Sequence, residues 1–112
     1  MQSTELLKGT LQTIILNLLS NTDRMYGYEI TQHVKELSNG KLILTEGALY
    51  PTLHKLEAEG LVNTEQVAIG KRVRKYYRLT KDGNSIVKIK LNEFREFVNI
   101  MNQILYHKPA VA

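Results

Sequence analysis

A mainly α protein with one small β-hairpin (α+β), closed by a long C-terminal helix, is the fold class that this 112-residue sequence predicts. Three observations predict it. Apolar residues recur at helical spacing in three stretches before residue 60. Residues 61–67 and 73–79 then alternate β-branched or aromatic residues with polar ones around a link containing Gly70. From Thr80 a final amphipathic run extends to about Tyr106.

Ser3 or Thr4 can cap the first helix, with Glu5 in its first turn and Leu7, Leu11, Ile14 and Leu18 as its apolar stripe. Leu6, Ile15 and Leu19 widen the stripe beyond one face, so this helix is expected to pack on two sides. Asn21, Thr22 and Asp23 mark a loop. Tyr26, Gly27 and Tyr28 lead into a second helix, with Ile30, Val34 and Leu37 on one side and Gly40 as its stop. Leu42 to Leu44 reads as a small strand. Thr45 caps a third helix that starts near Glu46 or Gly47, buries Leu49, Leu53 and Leu56, tolerates Pro51 near its first turn and ends at Gly60. After the hairpin, Thr80 caps the last helix, which Pro109 ends. The expected organisation is residues 1–80 as one compact unit, 81–106 as a long helix, and 107–112 as a tail.

Length allows one domain with a modest core, whose burial a second copy of the chain would complete. The net charge of +4 is concentrated: Lys71, Arg72, Arg74, Lys75, Arg78 and Lys81 lie between Glu65 and Asp82 with no acid among them. The rest of the chain, with nine basic against eleven acidic residues, is slightly acidic. Like charges held together on a hairpin attract a polyanion far more than the same charges scattered. There is no cysteine, which excludes disulfides and thiolate metal sites and suits a reducing, cytoplasmic setting. No stretch approaches the roughly 18 apolar residues of a membrane span, and Glu5, Lys8 and Asn17 interrupt any signal-like start.

A short amphipathic helix followed at once by a basic hairpin is the pattern of a winged helix-turn-helix. The helix fits a major groove and the hairpin meets phosphates beside it. With its leucines buried, the third helix presents Gly47, Tyr50, Pro51, His54, Lys55 and Ala58. Tyr50, Thr52, His54 and Lys55 supply donors for base edges or phosphate, and Thr45 opens the same segment. Arg72 and Arg74 near the hairpin tip could enter a minor groove or clamp phosphate, with Lys71 and Lys75 as point charges. Tyr76 and Tyr77 point to opposite faces of their strand, so at least one belongs to the core.

Val87, Leu91, Phe94, Val98, Met101 and Leu105 form a heptad seam on the last helix, beside a second row of Ile86, Phe97, Ile100 and Ile104. So small a domain cannot hide both rows. One is expected to meet the same helix and the first helix, with Leu7, Leu11 and Ile14, of a second subunit. His33, His54 and His107 are scattered and the glycines occur singly, so no catalytic, metal or phosphate-cradling constellation is present and neither enzyme activity nor a cofactor is expected.

The blocks YGYEI (Tyr26 to Ile30), GALYPTLHKLEAEGLV (Gly47 to Val62) and RKYYRLTKDG (Arg74 to Gly83) resemble the signature of the PadR family of bacterial transcriptional regulators. The similarity runs from Leu7 to Leu105, and a chain that stops soon after one long helix resembles the short subfamily, so the extra C-terminal domain of the longer members is not expected. The resemblance implies a winged helix-turn-helix that dimerises through its long C-terminal helix and its partner's first helix. It places Tyr28 near the DNA backbone, Tyr50, Pro51 and His54 in the groove, and Lys71 through Lys75 on the wing. Ala48 stands where the family often has Ser or Thr. Some short members hold flat aromatic ligands between paired tryptophans at the dimer interface. This chain has no tryptophan, which leaves Phe94 and Phe97 as the residues that could stack on a ligand. The expected function is a ligand-responsive homodimeric repressor on a pseudo-palindromic double-stranded DNA operator. Two other readings stay open: a winged-helix module that contacts protein, and a small-molecule-binding dimer with little DNA affinity.

Overall fold

The computed structural model describes residues 4–108, in the order α1 (Thr4–Lys8), α2 (Leu11–Ser20), β1 (Met25–Tyr26), α3 (Gly27–Leu37), α4 (Glu46–Ala58), β2 (Val62–Ile69), β3 (Arg72–Leu79) and α5 (Lys81–Tyr106). The expected first helix is thus two. Thr10 sends both its backbone N–H and its hydroxyl back to the Leu7 carbonyl, at 3.0 and 3.1 Å, and the chain turns there before resuming as α2. Glycine and threonine are poor helix formers, and a threonine hydroxyl competes for backbone carbonyls, so Gly9–Thr10 is where the helix gives way. Ser3, offered as a cap, and Pro109, offered as a stop, lie outside the described residues, as does most of the 107–112 tail.

The core is assembled from one face of each remaining element: Ile15, Leu16 and Leu19 of α2, Ile30 of α3, Leu49, Leu53 and Leu56 of α4, Val62 of β2 and Tyr77 of β3 are essentially inaccessible. Each such side chain contributes about 1.5–3 kcal/mol by leaving water. Leu37, expected beside Ile30 and Val34, is instead 73% exposed. The α3 helix ends through left-handed Asn39, with the Gly40 N–H bonded to the Lys35 carbonyl at 2.7 Å, so the stop is one residue earlier than Gly40. Residues 42–44 form no strand: Leu44 is buried, but the segment has no strand neighbour, and Leu42 N–H is taken by the Ser38 hydroxyl at 3.0 Å.

The α4 helix begins as expected, with the Thr45 hydroxyl accepting from the Ala48 N–H at 3.2 Å. Pro51 is its sixth residue and forfeits one early hydrogen bond. At the far end Gly60, with φ +76°, closes the helix, and Leu61 N–H reaches the Leu56 carbonyl at 2.9 Å. The hairpin is longer than expected, with register Ile69 to Arg72 at the tip and Val62 to Leu79 at the base. β1 adds a third strand that the sequence analysis missed, giving the antiparallel order β1-β3-β2 with Met25 opposite Tyr77 and Tyr26 opposite Tyr76.

The ends of α4 and α5 share one side chain. The Thr80 hydroxyl donates to the Gly60 carbonyl at 2.6 Å and accepts from the Gly83 N–H at 3.0 Å, while Thr80 N–H bonds the Leu61 carbonyl at 3.0 Å. Cap of one helix and clasp of the other are the same residue. From this point α5 leaves the body: Val87 is buried and Leu91 half-buried, but Phe94, Phe97, Val98, Ile100, Ile104 and Leu105 are all exposed. The chain is accordingly elongated, 70 × 29 × 21 Å.

Candidate nucleic-acid interface

The buried leucines of α4 fix which face looks outward. Gly47, Tyr50, Pro51, His54, Lys55 and Ala58 are all exposed, as the helical spacing predicts. Thr52 is turned inward enough to bond the Ala48 carbonyl at 2.9 Å, and Thr45 is engaged as the cap. Tyr50 does two things. It is 36% exposed, yet its phenol leans on the start of α3: a Cβ built on Gly27 would lie 2.4 Å from the Tyr50 hydroxyl oxygen and 3.0 Å from Cζ. A side chain there would have to displace the Tyr50 ring, so Gly27 lets that ring rest on the start of α3.

On β3 the alternation of a strand sorts the side chains. Tyr77 is buried, and Lys75 lies on the same face with its ammonium 5.6 Å from the Tyr77 ring centre. Arg72, Arg74, Tyr76 and Arg78 occupy the opposite face. Here the basic residues are not equivalent. Lys71 and Arg72, at the tip, are exposed. Arg78 is anchored to Asp23 at 3.2 Å, with Glu65 at 3.9 Å. Arg74 lies 3.9 Å above the Tyr26 ring and donates to the Tyr76 hydroxyl at 3.3 Å. That bond, with Tyr26 and Glu29 nearby, raises the guanidinium pKa further above its usual value, so it is a fixed positive charge. Arg24, on the loop before β1, covers the Tyr76 ring at 4.0 Å and pairs with Glu65.

Sequence reasoning named Arg74 but missed Tyr26 and Tyr76 as its partners and Arg24 as the cation on the Tyr76 ring. The signal present was the alternation Arg74, Tyr76, Arg78 on one strand face; without β1 there was nothing to lay against it. Tyr28, at the start of α3, is 63% exposed and its ring is stacked with Tyr26, centroids 6.3 Å apart.

Burial pushes the Tyr77 phenol up in pKa, with Tyr50 and Glu57 adding to the effect. The neutral form is favoured in the fold, so the stability Tyr77 contributes is complete below the ordinary phenol pKa of about 10 and is lost as pH rises through its higher folded value. The difference between spectrophotometric titrations of the native protein and of Tyr77→Phe is expected to place the Tyr77 phenol above its ordinary value. A Tyr77 component at the ordinary phenol pKa of about 10 would contradict this.

A groove of about 630 Å³ opens between α1, α2, the end of α3 and α5. Leu7, Ile14, Leu91, Phe94 and Phe97 line it together with the exposed Leu37. Leu11 and Val87, expected at a subunit interface, are instead buried in the chain's own core, because the turn at Thr10 and the clasp at Thr80 press both inward. Farther out along α5, Val98 and Leu105 are exposed and Met101 is half-buried. Among the described residues no three His, Cys, Asp or Glu side chains form a metal-binding group, and no described helix is long and apolar enough to cross a membrane.

Residues 15–88 match the Transcriptional regulator PadR-like family. A transcriptional regulator of Mycobacterium tuberculosis is 41% identical over 63 residues, covering 56% of each chain. Among solved structures, a transcriptional regulator from Clostridium thermocellum superimposes with a TM-score of 0.82 at 28% identity, covering 92% of this chain and 97% of that one. A PadR-like transcription factor from Bacteroides fragilis gives a TM-score of 0.73 at 33% identity, covering 90% and 95%.

Proposed function

Because this chain belongs to the PadR-like family of transcriptional regulators, we propose that it is a homodimeric cytoplasmic repressor that binds a pseudo-palindromic operator and releases it in response to a small molecule. It acts by binding and not by catalysis. The observation that carries the reading is the outward face of α4 lying next to the basic hairpin, a helix for the major groove beside a charged wing. Within it, Gly47, Tyr50, Pro51, His54 and Lys55 read the groove, and Lys71, Arg72, Arg74 and Lys75 hold phosphate with Tyr28. The uncovered apolar rows of α5, from Phe94 to Leu105, and the groove beside α1 are complementary surfaces that a second copy would bury. Residues 4–80 would then serve as the reading head and 81–106 as the dimerisation helix. An effector that enters the groove at Phe94 and Phe97 would change how the two heads are spaced.

Binding to the protein's own promoter, measured between 50 and 200 mM salt, tests this. With roughly 6 to 10 phosphate contacts, affinity is expected to fall by about 10³ to 10⁵ over that range. Replacing Arg72 with Ala removes two charges per dimer and is expected to lower the slope of log affinity against log salt by about 2 while the dimer persists. A flat salt response would sink the reading, and a protein-contacting module would show one.

A further inference from the structure

At the outer face of the sheet Tyr26, Arg74 and Tyr76, with Arg24 from the preceding loop and Tyr28 from α3, form an arrangement that exceeds what packing requires. Arg74 would ordinarily sweep through many rotamers, and fixing it on DNA would cost conformational entropy. In the unbound chain it is already held over the Tyr26 ring at 3.9 Å and bonded to the Tyr76 hydroxyl at 3.3 Å. Tyr26 is fixed in turn. Its backbone pairs with Tyr76 in the sheet, its N–H donates to the Glu29 carboxylate at 3.2 Å, and the Tyr76 ring meets it edge-on at 5.6 Å. Behind Tyr76 stands Arg24, 4.0 Å over the ring and held by Glu65. On the solvent side Tyr26 stacks with Tyr28, whose ring is exposed.

Resting on the DNA-binding reading above, we propose that Tyr26 is the positioning residue of a phosphate clamp formed by Arg74 and Tyr28, with Arg24 and Tyr76 as its backing. The Tyr26 ring joins the wing to the start of α3, so a wing cation and a helix phenol are presented to one DNA strand as a unit. The guanidinium spends one N–H on Tyr76 and one face on Tyr26, and the rest of its donor fork is left for phosphate oxygens. Tyr28, stacked with the same Tyr26 ring, adds a hydroxyl donor. Ordering the clamp before binding removes that part of the association cost. The contact is to backbone, so it raises affinity for every sequence alike.

The test is a double-mutant cycle on the full chain, with operator affinity and its salt slope as readouts. Tyr26→Leu is expected to weaken binding about 10-fold and to lower the salt slope by about 2 per dimer, the same loss as Arg74→Ala. The double variant is expected to be no weaker than Arg74→Ala alone, and Tyr26→Phe, which keeps the ring, to bind within about 2-fold of the original. If Tyr26→Leu and Arg74→Ala multiply independently, the proposal is wrong although the wing still binds DNA. If Arg74→Ala leaves affinity unchanged, the DNA-binding role of Arg74 falls as well. NMR of the unmodified protein gives an answer that depends on no variant: the Arg74 side-chain Nε–H is expected to be ordered and ring-current shifted without DNA, and a mobile, unshifted signal would overturn the clamp.

Discussion

Gly83→Ala is expected to lower the thermal midpoint by about 10–20 °C, the largest stability effect of any single methyl in this chain. A Cβ at that position would lie 2.1 Å from the Leu61 carbonyl oxygen and 3.1 Å from both the Leu61 carbonyl carbon and Leu79 Cδ2. The obstacle is backbone, and this backbone is pinned, because the same Leu61 carbonyl accepts the Thr80 N–H. Overpacking of this kind costs about 2–3 kcal/mol, and each kcal/mol moves the midpoint of a domain this size by about 4–8 °C. Gly47→Ala is the control: its Cβ would meet nothing nearer than the Thr45 hydroxyl at 3.9 Å, so helix propensity should raise stability by up to about 1 kcal/mol. A thermal melt of Gly83→Ala within 3 °C of the original, by any probe of the helices, would refute the tight junction (a shift of less than about 1 kcal/mol).

Phe97→Asp combined with Ile104→Asp is expected to leave a folded monomer in place of the proposed dimer and to reduce affinity for the proposed operator at least about 100-fold. Both side chains are more than half exposed in the single chain, at 55% and 57%, so the reading head loses nothing by the change. Between two subunits the same positions would bury carboxylates without partners, at several kcal/mol each. A monomer also forfeits the second half-site, which linkage had made available at high effective concentration. Sedimentation velocity and a binding titration check the two halves of the statement. A variant that remained a dimer would show that these rows are not the interface.

Much of the fold was legible because it is written locally. Thr45 and Thr80 cap the helices that follow them, Gly60 ends one, and the periods of α4 and β3 assign Leu49, Leu53, Leu56 and Tyr77 to the interior. What escaped depends on partners distant in sequence. β1 is two residues long and has no period of its own; it is a strand because Tyr76 and Tyr77, some fifty residues later, offer it a ladder. Leu42–Leu44 shows the converse, strand-like residues with no neighbour to pair with. The outward face of α4 was read correctly, but not that Tyr50 divides itself between that face and the glycine at the start of α3. The wing was read as forked arginines, Arg72 and Arg74, among point-charge lysines, with no partner within the chain foreseen for any of them. In the fold Arg78 is tied to Asp23, Arg74 is laid on Tyr26, and Lys71 and Arg72 remain at the tip. Composition counts charges, whereas pairing decides which of them a phosphate can reach.

The hydroxyl of Thr80, bonded to Gly60 just past the end of α4 on one side and to the first turn of α5 on the other, makes the chain a tiller. With 26 residues, α5 is a bar about 39 Å long, so a sideways displacement of 5 Å at Tyr106 corresponds to a tilt of about 7° at the clasp. No flexible linker lies between bar and blade to absorb it, since Gly60, Leu61, Thr80 and Gly83 are bonded to one another. Steering applied at the far end of α5 therefore arrives at α4 as a change of heading.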